Sequence, residues 1–355
     1  MTFILFIVLL SVIIILHEGG HLIAAKTFGV YCSEFSIGMG PKIVSHKGKE
    51  TEYSLRALPI GGFVAMAGDT DNRLETQTDV EVPPERTLTG IAKWKRIVIM
   101  LAGIFMNFVL GYVIITLILL HSGGYVLSPK AEIAAVSPGT PAAAAGLLAG
   151  DRITAVQIEG GSLQKLSSFD DLVMYLATYE GEGDVLFTVE RNGETLSFSI
   201  VPEYSEESGR YLIGISGPQG EVAKINFGNV WGYAFDYCAY MVRSIWMSLR
   251  QLLHGIGTSN MSGPVGIYQA TGQAAAAGAS SYFLMMALIS INIGFMNLLP
   301  LPILDGGRVL LTLIEALIRR PLSEKAQSFL MTLSTALVLM LFVYVTFNDV
   351  LRLLP

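Results

Sequence analysis

The sequence predicts a polytopic α-helical membrane protein with four transmembrane helices, a membrane-associated β-hairpin region and an inserted extracytoplasmic domain of mixed α and β structure. Three observations carry this reading. The chain of 355 residues is 52% hydrophobic and only 15% charged, against roughly 25% charged in soluble domains. Four apolar stretches (3–25, 97–120, 282–304 and 327–347) can each cross a hydrocarbon core, which needs about 20 residues. Between the second and third, the composition turns charged and glycine-rich, as a soluble insert requires. The net charge of −6 argues against nucleic acid as a partner and leaves the lipid bilayer as the expected environment.

The first span, residues 1–25, lacks a basic leader and is too long for a cleaved signal, so it is read as retained. It carries His17-Glu-Gly-Gly-His21. In a helix this HExxH spacing sets two imidazoles on one face, able to share a zinc ion, with Glu18 beside them as general base. Residues 26–96 form the following loop. Within it, 31–68 alternate apolar and polar side chains between glycines, predicting a reentrant β-hairpin with Lys47-Gly48-Lys49 at a turn. Such a hairpin tolerates lipid only if its backbone groups pair internally or with another strand. Residues 69–90, acidic and threonine-rich with Pro83-Pro84, read as an exposed loop.

After the second span (97–120), residues 125–217 contain several short strand patterns. Two of them, 185–191 and 195–201, are joined at Asn192-Gly193 as a hairpin. Residues 227–254 are aromatic-rich with few charges and predict an amphipathic helix lying in the membrane interface. Met261-Ser-Gly-Pro and the alanine-glycine run at 274–279 read as a flexible lead-in to the third span, 282–307, and the fourth is 327–347. Basic residues gather beside the first and third loops (Lys93, Lys95, Arg96; Arg308, Arg319, Arg320, Lys325). By the positive-inside rule those loops are cytoplasmic, and both termini and the 121–281 segment lie outside. This topology puts Cys32 and Cys238 on opposite sides of the membrane, which predicts two packing thiols rather than a disulfide.

Catalytic zinc takes three protein ligands and keeps one position open. Histidines 46, 121 and 254 fall in loops, and Asp305 is the one carboxylate of the third span. An intramembrane carboxylate is a functional-site candidate by default. His17 lies ~21 Å down a core ~30 Å thick. The third span enters from the same side and reaches Asp305 late, so both ligand sets converge near the cytoplasmic face. Pro300 and Pro302 break the helix ahead of Asp305, and Asn297 offers an amide beside the break for a substrate backbone.

Two resemblances follow from these residues. Ser137-Pro-Gly-Thr-Pro-Ala-Ala-Ala-Ala-Gly-Leu-Leu-Ala-Gly-Asp-Arg-Ile153 resembles the signature of bacterial PDZ domains, and 168–176 fits their groove helix. The HExxH motif in span one and Asn297-Leu-Leu-Pro-Leu-Pro-Ile-Leu-Asp-Gly306 in span three, with a PDZ insert between spans two and three, resemble the site-2 proteases, nearest the bacterial RseP type. Gly61-Gly62-Phe63 looks like that family's reentrant β-loop, although one PDZ insert stands where some members have two. The resemblance implies intramembrane proteolysis in the bacterial cytoplasmic membrane. Single-span substrates such as anti-sigma factors or remnant signal peptides would be cut, with Zn2+ on His17, His21 and Asp305 and Glu18 as acid/base. Asn297, Pro300, Pro302, Gly61, Gly62 and Phe63 would then border the substrate, and a peptide or substrate ectodomain could dock at the PDZ domain. The alternative is a catalytically inactive membrane PDZ scaffold.

Overall fold

The computed structural model describes residues 1–69, 81–206, 210–256, 261–320 and 322–351. Most of the acidic stretch read as an exposed loop, residues 70–80, lies outside the described residues. The chain divides into two units, one of residues 1–115 and 262–355, the other of residues 116–261.

The first unit is built on helices that are apolar on every side, as a lipid environment demands. They are α1 (Thr2–Thr27), α2 (Lys93–Ser122), α7 (Ala279–Asn297) and α9 (Glu324–Leu351), and each contains a stretch long and apolar enough to cross a membrane. Many of their large side chains, such as Phe3, Leu117, Phe283, Met340 and Phe342, are exposed in the protein alone. Lipid is the solvent that suits them. Where the helices meet, glycines replace side chains, the close-approach device of membrane helices. A Cβ on Gly20 of α1 would overlap the Ala102 carbonyl of α2, and one on Gly111 of α2 would meet Ile291 of α7 at 2.5 Å.

Between α1 and α2 the strands β1 (Cys32–Lys47) and β2 (Glu52–Met66) pair antiparallel. The hairpin folds back on itself. Residues 34–37 face 62–65 on one side and 52–55 on the other, while 44–47 pair with 52–55. Its apolar side (Cys32, Phe35, Val64, Met66) buries against Leu22 and Ala25 of α1 and Ile99 of α2. The buried Glu34 carboxylate is matched by Arg56, whose Nη2 donates to both carboxylate oxygens at 2.9 and 3.1 Å, and by the Ser54 hydroxyl.

The third span departs from its predicted limits. α7 ends at Asn297 rather than running to 307, because Pro300 and Pro302 cannot donate and disfavour helical backbone before them. Residues 298–304 are irregular, and Asp305 opens a separate helix, α8 (Asp305–Ile318). The expected flexible lead-in holds instead a helix, α6 (Pro264–Ala276), which packs against α1, α7 and α9. Proline at its first position and its alanines favour helix. Its N-terminal amides are held from α9 by the buried Asp349 carboxylate, which accepts from Gly263 N at 3.1 Å and Gly266 N at 2.8 Å.

The second unit opens with β3 (Gly124–Val126), β4 (Ala135–Val136) and α3 (Pro141–Ala145). A four-stranded sheet follows from β5 (Arg152–Ile158), β6 (Gln164–Lys165), β7 (Val185–Arg191) and β8 (Glu194–Ile200), in the order β6-β5-β7-β8, with α4 (Phe169–Leu176) inserted after β6. Short strands β9 (Glu203–Ser205), β10 (Arg210–Leu212), β11 (Ile215–Ser216) and β12 (Val222–Lys224) lead into α5 (Val230–Leu253). Asn192 and Gly193, both at positive φ, make the predicted turn between β7 and β8. Ile153, Val156 and Ile158 of β5, whose alternation is broken by a register shift after Ile153, and the alternate residues Val185, Phe187 and Val189 of β7 fill a core closed by Leu172 and Tyr175 of α4. α5 shows a face that the sequence did not reveal. Met247 enters this core, Gln251 Oε1 accepts from Ser162 N and Oγ, and Arg243 pairs with Asp171 at 2.8 Å. Its other face leaves Trp231, Phe235 and Trp246 exposed, as is Phe227 just before the helix.

Asp151, buried at the start of β5, accepts from Arg191 Nε and Nη2 at 2.6 and 2.7 Å. The Arg191 guanidinium holds its carboxyl below the usual carboxylate range. A depressed folded-state pKa contributes stability that is present above the unfolded value, ~3.9, and is lost as pH falls toward the native one. Thermal melts of the full chain, read by protease cleavage within 116–261, should show this unit weakening below about pH 4. Asp151→Asn should lower the melt at neutral pH and flatten that acid dependence.

Candidate metal centre

The HExxH helix delivers what its spacing promises. One turn apart on α1, the His17 and His21 rings stand 88° to each other, with their Nε2 atoms 3.2 Å apart. The third group arrives from the other end of the unit in sequence. Asp305 Oδ2 lies 3.2 Å from His17 Nε2 and 3.4 Å from His21 Nε2. What brings Asp305 there is the corner between α7 and α8. A Cβ on Gly306 would overlap the Leu298 carbonyl, and one on Gly307 the Leu301 carbonyl, so only glycines let α8 seat this closely on the preceding loop.

The three atoms form a nearly equilateral triangle. Tetrahedral zinc, with ligand bonds of ~2.0–2.1 Å, sets its ligands ~3.3–3.4 Å apart. The triangle fits that geometry. Asp305 Oδ2 is buried without a hydrogen-bond partner, as a lone pair directed at a cation would be. The side chains of His17, His21 and Asp305 retain 12%, 8% and 16% of their exposure, leaving an approach on one side. His17, His21 and Asp305 form the His/Cys/Asp/Glu cluster suited to a metal among the described residues.

Helix α2 supports both imidazoles. His21 Nδ1 donates to the Ile99 carbonyl at 2.8 Å, which fixes the proton there and leaves Nε2 its lone pair. A Cβ on Gly103 would overlap the His21 ring, so this glycine makes the ring's space. One turn further along α2, the Asn107 amide lies 3.2 Å from His17 Nδ1 and is fully buried. The sequence reading missed Gly103 and Asn107. The available cue was an amide inside an otherwise apolar span, a placement that is costly without a purpose.

Glu18 points along the hairpin: its Cγ is 3.2 Å from where a Cβ on Gly62 would sit. Its carboxylate makes no hydrogen bond among the described residues. Of the expected substrate contacts, Gly61 (φ 80°) sits beside Met39 of β1, and Gly62 brings β2 against α1, where a Cβ would also meet Ile14 at 3.0 Å. Phe63 is buried in the hairpin with the Arg56 guanidinium 4.9 Å over its ring, so its backbone rather than its side chain can face a substrate. Asn297 closes α7 half-buried, with no side-chain hydrogen bond among the described residues, and Pro300 and Pro302 stand in the connector to Asp305. Asp69, just after β2, pairs with Arg308 of α8 at 3.5 Å and ties the hairpin to the Asp305 helix.

Comparison with known proteins places these features in context. The model of peptidase family M50 matches residues 5–341. A Clostridium perfringens protein named as a zinc metalloprotease is 36% identical over 342 residues, covering 96% of each chain. The regulator of sigma-W protease RasP of Bacillus subtilis is 31% identical over 426 residues, and the zinc metalloprotease RasP of Bacillus licheniformis 31% over 425, with 99% of each chain covered in both cases.

The Gly103 contact yields a direct test. Gly103→Val should push the His21 ring aside and weaken divalent-metal binding by at least ~10–100-fold, the range for disturbed ligand support. Gly19→Ala, where a Cβ meets nothing within 4 Å, should leave metal content at the wild-type level when purified protein is assayed by atomic absorption.

Proposed function

The chain belongs to peptidase family M50, and from that premise we propose that this metalloendopeptidase hydrolyses peptide bonds inside the transmembrane segments of single-span membrane proteins, with zinc held by His17, His21 and Asp305. One observation carries the reading: three ligand atoms converge within 3.4 Å, two of them on a helix apolar enough to cross a membrane. Relatives named zinc metalloproteases over nearly their whole length support zinc as the ion.

The chemistry divides among named groups. Bound by His17, His21 and Asp305, zinc would supply Lewis acidity toward a carbonyl and a water molecule. Glu18, unengaged and adjacent to the ligands, takes the proton of the attacking water and returns it to the leaving amine nitrogen. The apolar flanks of α1 and α2 exclude bulk water, which strengthens both interactions.

A helical substrate hides its carbonyls in its own hydrogen bonds, so local unwinding precedes cleavage. Residues 62–65 of β2 pair on one side only among the described residues, whereas 52–55 pair on both. Edges therefore fall at 62–65 and at 44–47; the first lies beside Glu18 and can receive an unwound strand by backbone pairing. The free Asn297 amide adds a second hold on the substrate backbone. Substrates with helix-weakening residues near the cut are preferred on this account.

The distribution of basic residues supports an orientation with both termini outside and the metal near the cytoplasmic face. The sigma-W name of the Bacillus subtilis relative favours anti-sigma factors among the clients, with remnant signal peptides as a second group. In the second unit, a groove between α4 and residues 211–216, lined by Phe169, Leu172, Val173, Tyr211, Ile213 and Ile215, supports the PDZ reading. It offers a place for a peptide or a substrate ectodomain.

Two variants test this account. Glu18→Gln should lower cleavage of a co-expressed single-span substrate by ~10²–10⁴-fold while zinc stays bound; continued cleavage would remove Glu18 as the proton carrier. Gly62→Val should force the hairpin edge away from α1 and slow cleavage on the order of tenfold or more without loss of zinc, measured by fragment accumulation in membranes.

A further inference from the structure

Asn107 is the only amide side chain in α2 and is fully buried. Its backbone serves α7: the Ser290 hydroxyl donates to the Asn107 carbonyl at 2.9 Å, and its Cβ lies 3.2 Å from where a Gly294 Cβ would be. Its side chain turns the other way, toward α1, where the amide meets His17 Nδ1 at 3.2 Å. Helix packing accounts for the first set of contacts. It gives no reason for an amide in the second.

The His17 ring supplies one. Its Nε2 faces Asp305 Oδ2 and His21 Nε2, so Nε2 must hold the lone pair when a cation is bound, and Nδ1 must carry the proton. A protonated Nδ1 needs an acceptor. For His21 that acceptor is the Ile99 carbonyl; for His17 the group in reach is the Asn107 amide. The structure sets Nδ2 toward the ring and leaves Oδ1 buried without a partner. Amide oxygen and nitrogen have nearly the same shape, and the hydrogen-bond network decides between them. Turning the amide over brings the orphaned oxygen onto Nδ1–H.

We infer that Asn107 is a positioning residue for the metal: its Oδ1 accepts from His17 Nδ1–H and holds that imidazole in the tautomer and orientation that present Nε2 to the ion. The inference rests on the proposed metal site and extends it to α2. Helix α2 then fixes both histidines of α1, one through a backbone carbonyl and one through a side chain. The side-chain hold is the one that a point substitution removes.

The experiment is a zinc affinity measurement by chelator competition on the full chain in detergent. Asn107→Leu keeps the volume and removes the acceptor, and should bind zinc ~10–100-fold more weakly. Asn107→Asp keeps an acceptor and should stay within a few-fold of wild type; a packing role predicts the reverse order, since a buried carboxylate disturbs an apolar interface more than leucine does. Ser290→Ala, which removes the neighbouring bond to the backbone, should leave affinity unchanged.

If Asn107 acts through His17, Asn107→Leu should change the His17 tautomer read by 15N NMR of histidine-labelled protein and leave that of His21 unchanged. This arm decides the matter even where the aspartate variant does not fold. Asn107→Leu protein that binds zinc as tightly as wild type, or a His17 tautomer unchanged by the substitution, would overturn the inference alone. Wild-type protein with no measurable zinc affinity would overturn the metal site beneath it as well.

Discussion

Three acceptor atoms, each with a lone pair, sit within 3.4 Å of one another in a region of low dielectric. Left to themselves they repel, and their burial weakens the screening that water would give. A shared cation, as proposed above, would turn that repulsion into an attraction between α1 and the start of α8. The neighbouring structure reads as what makes the arrangement tolerable: glycines for space, a backbone carbonyl for one ring proton, a hairpin alongside, and an ion pair between Asp69 and Arg308.

The sequence showed the ends of this construction better than its middle. The His17–His21 spacing is a local property of one helix, so the motif fixed the geometry of two ligands. Asp305 was legible because a carboxylate in an apolar run needs a reason to be there. The corner before it was not legible in detail. Prolines 300 and 302 announced a break, but whether the chain resumed its path or started a new helix depended on contacts of Gly306 and Gly307 with Leu298 and Leu301, which lie in tertiary space. Helix α6 was missed for a related reason: alanines and glycines read as slack until the Asp349 carboxylate is seen holding the helix's first amides.

The hairpin and the aromatic helix taught the same lesson in different ways. Alternation over 31–68 marked strands, yet the doubling-back that leaves 62–65 at an edge came from a register no periodicity encodes. In α5 the aromatic residues predicted a place in the membrane interface; Trp231, Phe235 and Trp246 are exposed in the protein alone. The polar anchors that attach the opposite face, Arg243 and Gln251, looked in sequence like the ordinary polar residues of a solvated helix. Polar residues in apolar surroundings were informative wherever the reading asked what each one bonds. Asn107 shows the cost of not asking.

The contact of Gly306 and Gly307 with bare carbonyls has an evolutionary reach. Most interiors can be remodelled by small steps, a methyl traded here and a rotamer there, because side chains meet side chains. This corner contains main chain against main chain and has no such intermediate sizes to pass through. Lipid-facing positions can change in graded steps, whereas on the approach to Asp305 any side chain at Gly306 or Gly307 meets backbone at once.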